Sequence, residues 1–269
     1  MFSEIQIYLN NQITFYSSHT YPYRSYIEKL LNYNTNAKST HLQASMWFKD
    51  TAEHMDAVTD SNVGFKQRSH FTALSNTFEL LGYIHGDIFN QEKFLLSGVQ
   101  LRIKLIPSKP EFCLMGEESA AGKVVITDAT LLVKKVDISP TVKIAQNKIL
   151  QNPKFRVKYP LTKVQVKTET LPQGIMDTTL PDLFSGIVPK RIIIGFVTNT
   201  AFNGTFGTNP FNFQHFNMSF FTLYVDGTPV PSKPLQPDFD NSLYIQAYNT
   251  LFTGTGIYYS NQGNDISLT

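Results

Sequence analysis

Apolar side chains recur along much of this chain at every second position, the period of a strand with one face on a core. From Asn217 to Gly256 the pattern reads as a hairpin followed by a short helix. Met218, Phe220 and Leu223 begin a strand, Asp226-Gly227 supplies the positive φ angles of a two-residue reversal, and Val230 starts the return. Pro229 and Pro231 predict a short, edge-lying return strand, because proline cannot donate to a ladder. Asp240 or Asn241 is placed to cap a helix whose Tyr244, Tyr248, Leu251 and Phe252 share a face, and Gly254 is placed to end it.

The same order of elements stands at the start of the chain. Ile5, Ile7 and Leu9 alternate as a strand, Asn10-Asn11 is the turn, and Ile13 and Phe15 begin the return; Pro22 then opens a helix with Tyr23, Ile27, Leu30 and Leu31 on one side. Tyr8 and Tyr224 are offset by 216 residues, and the Tyr26-Ile27 and Tyr244-Ile245 pairs by 218. Self-similarity of that length points to an internal duplication, two full copies of which need about 430 residues. The chain has 269, so it is expected to hold the later part of one unit and the earlier part of the next. Strands without their neighbours leave open edges and a bare apolar face.

Between the two hairpins the pattern predicts further strands. Val99, Leu101, Ile103 and Leu105 alternate with Gln100, Arg102 and Lys104, and GKVVITDATLLVKKVDIS does so less regularly. Phe71 to Phe89 alternates loosely. Ser139-Pro140 starts a helix with Val142, Ala145 and Ile149 on one stripe, closed by Pro153. KFRVKYPLTKVQVKTETLP then alternates again, and Ile192, Ile193 and Ile194 suggest a strand buried on both faces. The expected fold class is all-β: two β domains, 1–138 and 154–269, joined by a connecting helix over 139–153, with short helices in the loops.

Composition narrows the chemistry. The 21 Phe and 13 Tyr against one Trp, with only 16% charged residues, favour strands and turns over long helices. Cys113 is the single cysteine, which excludes an internal disulfide framework. The opening MFSEIQIYLN lacks the basic start and apolar run of a signal peptide, so the sequons at Asn203 and Asn217 read as chance matches, and no run reaches membrane-spanning length. Glu53, His54 and Asp56 invite a metal reading, yet no second ligand pair sits at metal spacing nearby, so FKDTAEHMD reads as a solvated loop. His85 and Asp87, two apart on a strand, would share a face but lack a nucleophile or third ligand. Phosphate-cradling glycine patterns, serine elbows and helical zinc signatures are absent, so neither catalytic residues nor a cofactor or metal is expected.

Two stretches carry candidate contacts. Lys134, Lys135, Lys143, Lys148, Lys154, Arg156, Lys158, Lys163 and Lys167 face the lone acid Asp137, a basic run suited to a polyanion such as double-stranded DNA; ordinary solvated strand faces are the plainer reading. The loop holding Phe202, Phe206, Phe211, Phe213 and Phe216 is either a subunit interface or a set of rings tucked back on its own domain.

TYPYRSYIEKLLNYN (Thr20 to Asn34), FKDTAEHMD (Phe48 to Asp56), GDIFNQEKFLLSGVQLRIKLIPSK (Gly86 to Lys109) and NPFNFQHFNMSFFTLYVDGTPVPSKPLQPDF (Asn209 to Phe239), continued by YIQAYNTLFTGTG and GNDIS, resemble the double jelly-roll major capsid proteins of Polinton (Maverick) elements and adintoviruses. The resemblance implies two tandem eight-stranded jelly-roll β-sandwiches, here each incomplete: the C-terminal part of the first over 1–138 and the N-terminal part of the second over 154–269. It implies a homotrimer forming a pseudo-hexagonal capsomer, neighbouring capsomers, penton or minor capsid proteins as partners, an icosahedral virion assembled inside the host cell, non-specific contact with double-stranded DNA and no membrane. Members of that family are longer on both sides, so this copy resembles a fragment. The rival from another class is a ligand- or carbohydrate-binding β-sandwich of a domesticated host protein, for which a concave aromatic pocket would speak.

Overall fold

The computed structural model describes all residues except Glu118, Ala120, Ser185 and Thr269. The chain opens as the alternation dictates. Strands β1 (Phe2–Leu9) and β2 (Gln12–Ser17) pair antiparallel around Asn10 and Asn11, whose φ angles of 48° and 65° make a two-residue turn twisted the same way as the strands. Helix α1 (Tyr21–Asn32) follows, with Pro22 in its first turn, where the missing N–H has no intrahelical partner to lose. Tyr21, Tyr23 and Leu31 are buried along it, and Ile27 and Leu30 are half-buried.

A short helix α2 (Thr35–Lys38), capped by the Asn34 side chain, and a 3-10 turn (His41–Ser45) lead through the 48–62 loop to α3 (Val63–Thr72), capped by Asn62. Gly64 has no freedom to be anything larger, since a Cβ there would meet the Lys49 carbonyl at 2.7 Å. Strand β3 (Leu101–Pro107) then joins β1 on the side away from β2, giving the order β2-β1-β3. Its apolar positions turn inward and Arg102 and Lys104 outward, as the alternation predicts. The core lies under this sheet: Ile5, Ile7, Phe15, Tyr21 and Ile88 are buried together, with Leu9, Leu101, Ile103 and Leu105 packed against them.

After α4 (Pro110–Cys113), the connecting helix forms as α5 (Pro140–Leu150), with the Ser139 hydroxyl accepting from the Val142 N–H. Helix α6 (Asn199–Asn203) precedes the second hairpin, β4 (Phe221–Val225) and β5 (Thr228–Leu235), which turns at Asp226 and Gly227 with φ of 50° and 78°. Helix α7 (Ile245–Thr253) ends at Gly254.

Several expectations are corrected. Antiparallel sheets and short connecting helices are present, the described residues forming one three-stranded and one two-stranded sheet. Among them, 123–138, 155–167 and 190–197 carry no strand, and 76–86 is likewise irregular. The missing element is a partner: a strand alone has no ladder to satisfy its N–H and C=O groups. Ile193 and Ile194 are 47% and 43% exposed rather than buried on both faces, and Val142, Ala145 and Ile149 of α5 are open as well. The return strand β5 is longer than β4, not short, although both of its early prolines stand at its edge. Neither Asp240 nor Asn241 caps α7, because the Asp238 carboxylate takes the Asn241 N–H at 3.0 Å and the helix begins only after Tyr244.

Candidate assembly surface

Helix α1 is the hub to which distant parts of the chain are fastened, and its residues decide which surfaces stay free. On one side Arg24 is buried, with Nη2 at 2.7 Å from Asp87 and Nε at 2.8 Å from Glu28; His85 Nδ1 lies 2.6 Å from the other Glu28 oxygen. The His85 backbone N–H donates to the Tyr21 hydroxyl at 3.1 Å. His85 and Asp87 are therefore brought together not as strand neighbours but by a 3-10 turn (Asp87–Phe89) laid against α1. Burial alone would raise the Glu28 carboxyl, but the His85 hydrogen bond and the Arg24 charge outweigh it and hold it below its usual value. The arrangement is a structural ion network, in which Arg24 binds the Glu28 and Asp87 carboxylates and Glu28 in turn holds His85.

On another side the Phe-rich loop folds back. Tyr23 stacks on Phe202 at 5.6 Å, and Tyr26 lies face to face with Phe211 at 4.3 Å between centroids and 4° between planes. Phe213 and Phe112 complete the cluster against Tyr23, and Trp47 packs on Tyr26. Burial pushes the Tyr23 and Tyr26 phenols up to about 12. A polar clamp fixes the same loop: Asp56 accepts from the Asn209 N–H and the Asn212 amide, each at 2.7 Å, and Asp50, ion-paired to Arg68, accepts from the Asn209 amide at 3.2 Å. Glu53 and His54 are exposed, so Asp56 serves a loop rather than a metal with them.

A third attachment was not foreseen in the sequence. Lys38 is buried, donating to the Leu30 carbonyl at 2.9 Å and the Asn264 carbonyl at 2.6 Å, with the Trp47 ring 5.7 Å away. Burial draws its ammonium down to about 8, against the pull of Asp265. Asp265 meanwhile accepts from Thr35 at 2.9 Å. Nothing in the local pattern marks Arg24, Lys38, Asp50 or Asn264, since each acts through a partner far along the chain.

Of the five phenylalanines assigned to a subunit interface, Phe202, Phe211 and Phe213 pack against α1 and are half-buried, as is Phe206, whose carbonyl accepts from the Gly116 N–H. Phe216 is 53% exposed. Lys134, Lys135, Lys143, Lys148, Lys154, Arg156, Lys158, Lys163 and Lys167 are all exposed. The same part of the chain carries a bare apolar series, including Val125, Leu132, Val133, Phe155, Val157 and Val188. Among the described residues no group of three or more histidines, cysteines and carboxylates is placed to hold a metal, and no helix is long and apolar enough to cross a membrane.

The chain matches no protein-family profile and no solved structure. It is similar to an uncharacterized protein of Caenorhabditis elegans, 27% identical over 245 residues. That match takes in 90% of this chain and 56% of the nematode protein, so the chain spans a little over half the length of the curated relative it matches.

Proposed function

We propose that the chain is a structural subunit of a protein shell, a major capsid protein of the double jelly-roll kind. In this reading 1–138 and 154–269 belong to tandem jelly rolls bridged by α5, three copies form a pseudo-hexagonal capsomer, and capsomers with penton or minor capsid proteins enclose double-stranded DNA in a virion assembled inside the host cell. Function is then shape and contact, without a reaction or cofactor.

The observation that carries it is surface. The chain exposes 19649 Å², about 1.6 times the roughly 12,000 Å² that a compact protein of its 30.5 kDa mass presents. Strand-patterned sequences share in the exposed apolar surface, Val125, Leu132, Val133, Phe155 and Val157 among them, and such segments are stabilised when other strands or subunits cover them. The twofold use of strand, positive-φ turn, strand and helix supports the tandem arrangement. Neither the pocket of about 170 Å³ beside Met1, Pro107, Cys113, Val124 and Ile126 nor the larger one of about 390 Å³ between Asn217, Ser219, Gln236 and Asp240 has an aromatic ring in its lining, which favours assembly over the ligand-binding alternative.

Sedimentation and electron microscopy of the purified chain test this. The expected result is trimers that associate edge to edge as concentration rises. A monodisperse monomer throughout the micromolar range, with no binding of a hydrophobic dye, would overturn it.

A further inference from the structure

The two hairpins differ in one respect: β1 has strands on both sides, whereas among the described residues β4 is hydrogen-bonded to β5 alone. The second sheet has two edges, and only one can grow. Val225 and Thr228 flank the turn as a hydrogen-bonded pair, as do Leu223 and Val230 further along, so Pro229 and Pro231 stand at the alternate positions whose backbone faces outward from β5. Proline has no N–H to offer there, and the outer edge of β5 is closed to a further strand. On β4 Tyr224 faces outward and Thr222 takes the next alternate position, where the β4–β5 register shifts; both residues carry an N–H and a C=O.

The first sheet supplies the occupant's chemistry. Tyr8, the counterpart of Tyr224, pairs with Arg102 of β3, whose guanidinium lies 4.1 Å over the Tyr8 ring. Tyr224 is 63% exposed, and among the described residues no cation lies over its ring. The β3 run Leu101-Arg102-Ile103-Lys104-Leu105, closed by Pro107, recurs in the chain as Phe155-Arg156-Val157-Lys158-Tyr159, closed by Pro160. That second run forms no strand, and its Phe155 and Val157 are 60% and 45% exposed. In its own chain it rests beside the segment preceding β3, with Lys93 Nζ on the Lys158 carbonyl at 3.2 Å and the Leu96 N–H on the Tyr159 hydroxyl at 3.2 Å.

We infer that the β4 edge is a docking site for the Phe155-to-Pro160 segment of a second copy of this chain, added as an antiparallel strand. By the register of Tyr8 with Arg102, Arg156 falls opposite Tyr224, Val157 opposite Leu223, and Lys158 opposite Thr222. The contact is head to tail: the segment of one copy occupies the edge of the next. Such contacts close into rings when the rotation allows. The inference rests on the strand edge and not on the shell reading.

The test is a disulfide between different molecules, made in a Cys113→Ser background. Full-length Leu223→Cys and Val157→Cys proteins, each purified reduced, are mixed and oxidised. The expected result is a disulfide-linked heterodimer at least tenfold above that formed when Val166→Cys replaces Val157→Cys. Lys158→Pro, which removes an N–H facing β4, is expected to abolish it, and Tyr224→Ala to weaken association about threefold through loss of the cation–π contact. No heterodimer above the Val166 control, or a yield indifferent to Lys158→Pro, overturns the inference. Trimers without this crosslink would remove the contact and leave the shell reading standing, whereas monomers alone would remove both.

Discussion

Lys38 shows how a single side chain can decide whether two ends of a chain stay together. Its ammonium is buried between the Leu30 and Asn264 carbonyls. Its folded value of about 8 lies below the ordinary 10.5, so between those limits the unfolded chain holds a proton that the folded one has released. Stability attributable to Lys38 therefore rises with pH across that window, by at most about 1.4 kcal/mol per pH unit, and is flat above it. Tyr23 and Tyr26 act in the opposite sense. Their folded values of about 12 exceed the ordinary 10.0, so their contribution is whole below pH 10 and is lost as pH rises through 12. The Lys38 contribution is isolated by difference: urea unfolding from pH 7.5 to 10.5 should show wild type gaining on Lys38→Met, and parallel curves would refute the assignment. None of this was legible residue by residue. A buried lysine looks like any lysine until its partner, Asn264, is brought back over the 30s, and His85 and Asp87 drew attention for a strand geometry they do not have.

Elements were legible where their partners are near in sequence or strongly specified by turns. Asn10-Asn11 and Asp226-Gly227 both adopt the positive φ angles their residue types favour, and the alternation of Leu101 to Leu105 matched a real strand because β1 is there to pair with it. Equally regular alternation over 155–167 produced no strand, since period two states only that a segment suits a ladder and supplies no neighbour. The Phe-rich loop was undecided between outside and inside, and three of its rings pack against α1 while staying half-exposed. The Tyr26–Phe211 stack is the joint that holds this loop to the helix. Tyr26→Ala is expected to cost about 2–3 kcal/mol, less than the ~3–5 of a fully buried ring because Tyr26 is half-buried, and to free the amides of Phe211 and Phe213 in hydrogen exchange while those of β1 and β3 stay protected. Protection of the loop unchanged in the variant would place its anchor in the Asp56 clamp instead.

At the scale of the whole molecule, the exposed basic run and the bare strand patterns occupy the same part of the chain, between α4 and α6. That coincidence separates two roles for its charges. If they serve only to keep uncovered strands soluble, duplex DNA will bind weakly or not at all. If they face nucleic acid, each phosphate neutralised releases counterions, and log K falls with log salt by about 0.9 per contact, so six contacts lose about a thousandfold between 50 and 200 mM salt. The shell reading expects the second behaviour. Binding of a mixed-sequence duplex, followed by fluorescence anisotropy over that salt range, should give a steep slope, and replacing Lys134, Lys135, Lys143 and Lys148 together by Gln should flatten it by about 3.6. Those four lie outside the Phe155-to-Pro160 strand, so the substitution leaves the proposed β4 contact intact. A salt-independent interaction, or a slope the four substitutions leave unchanged, would assign those four lysines to solvent.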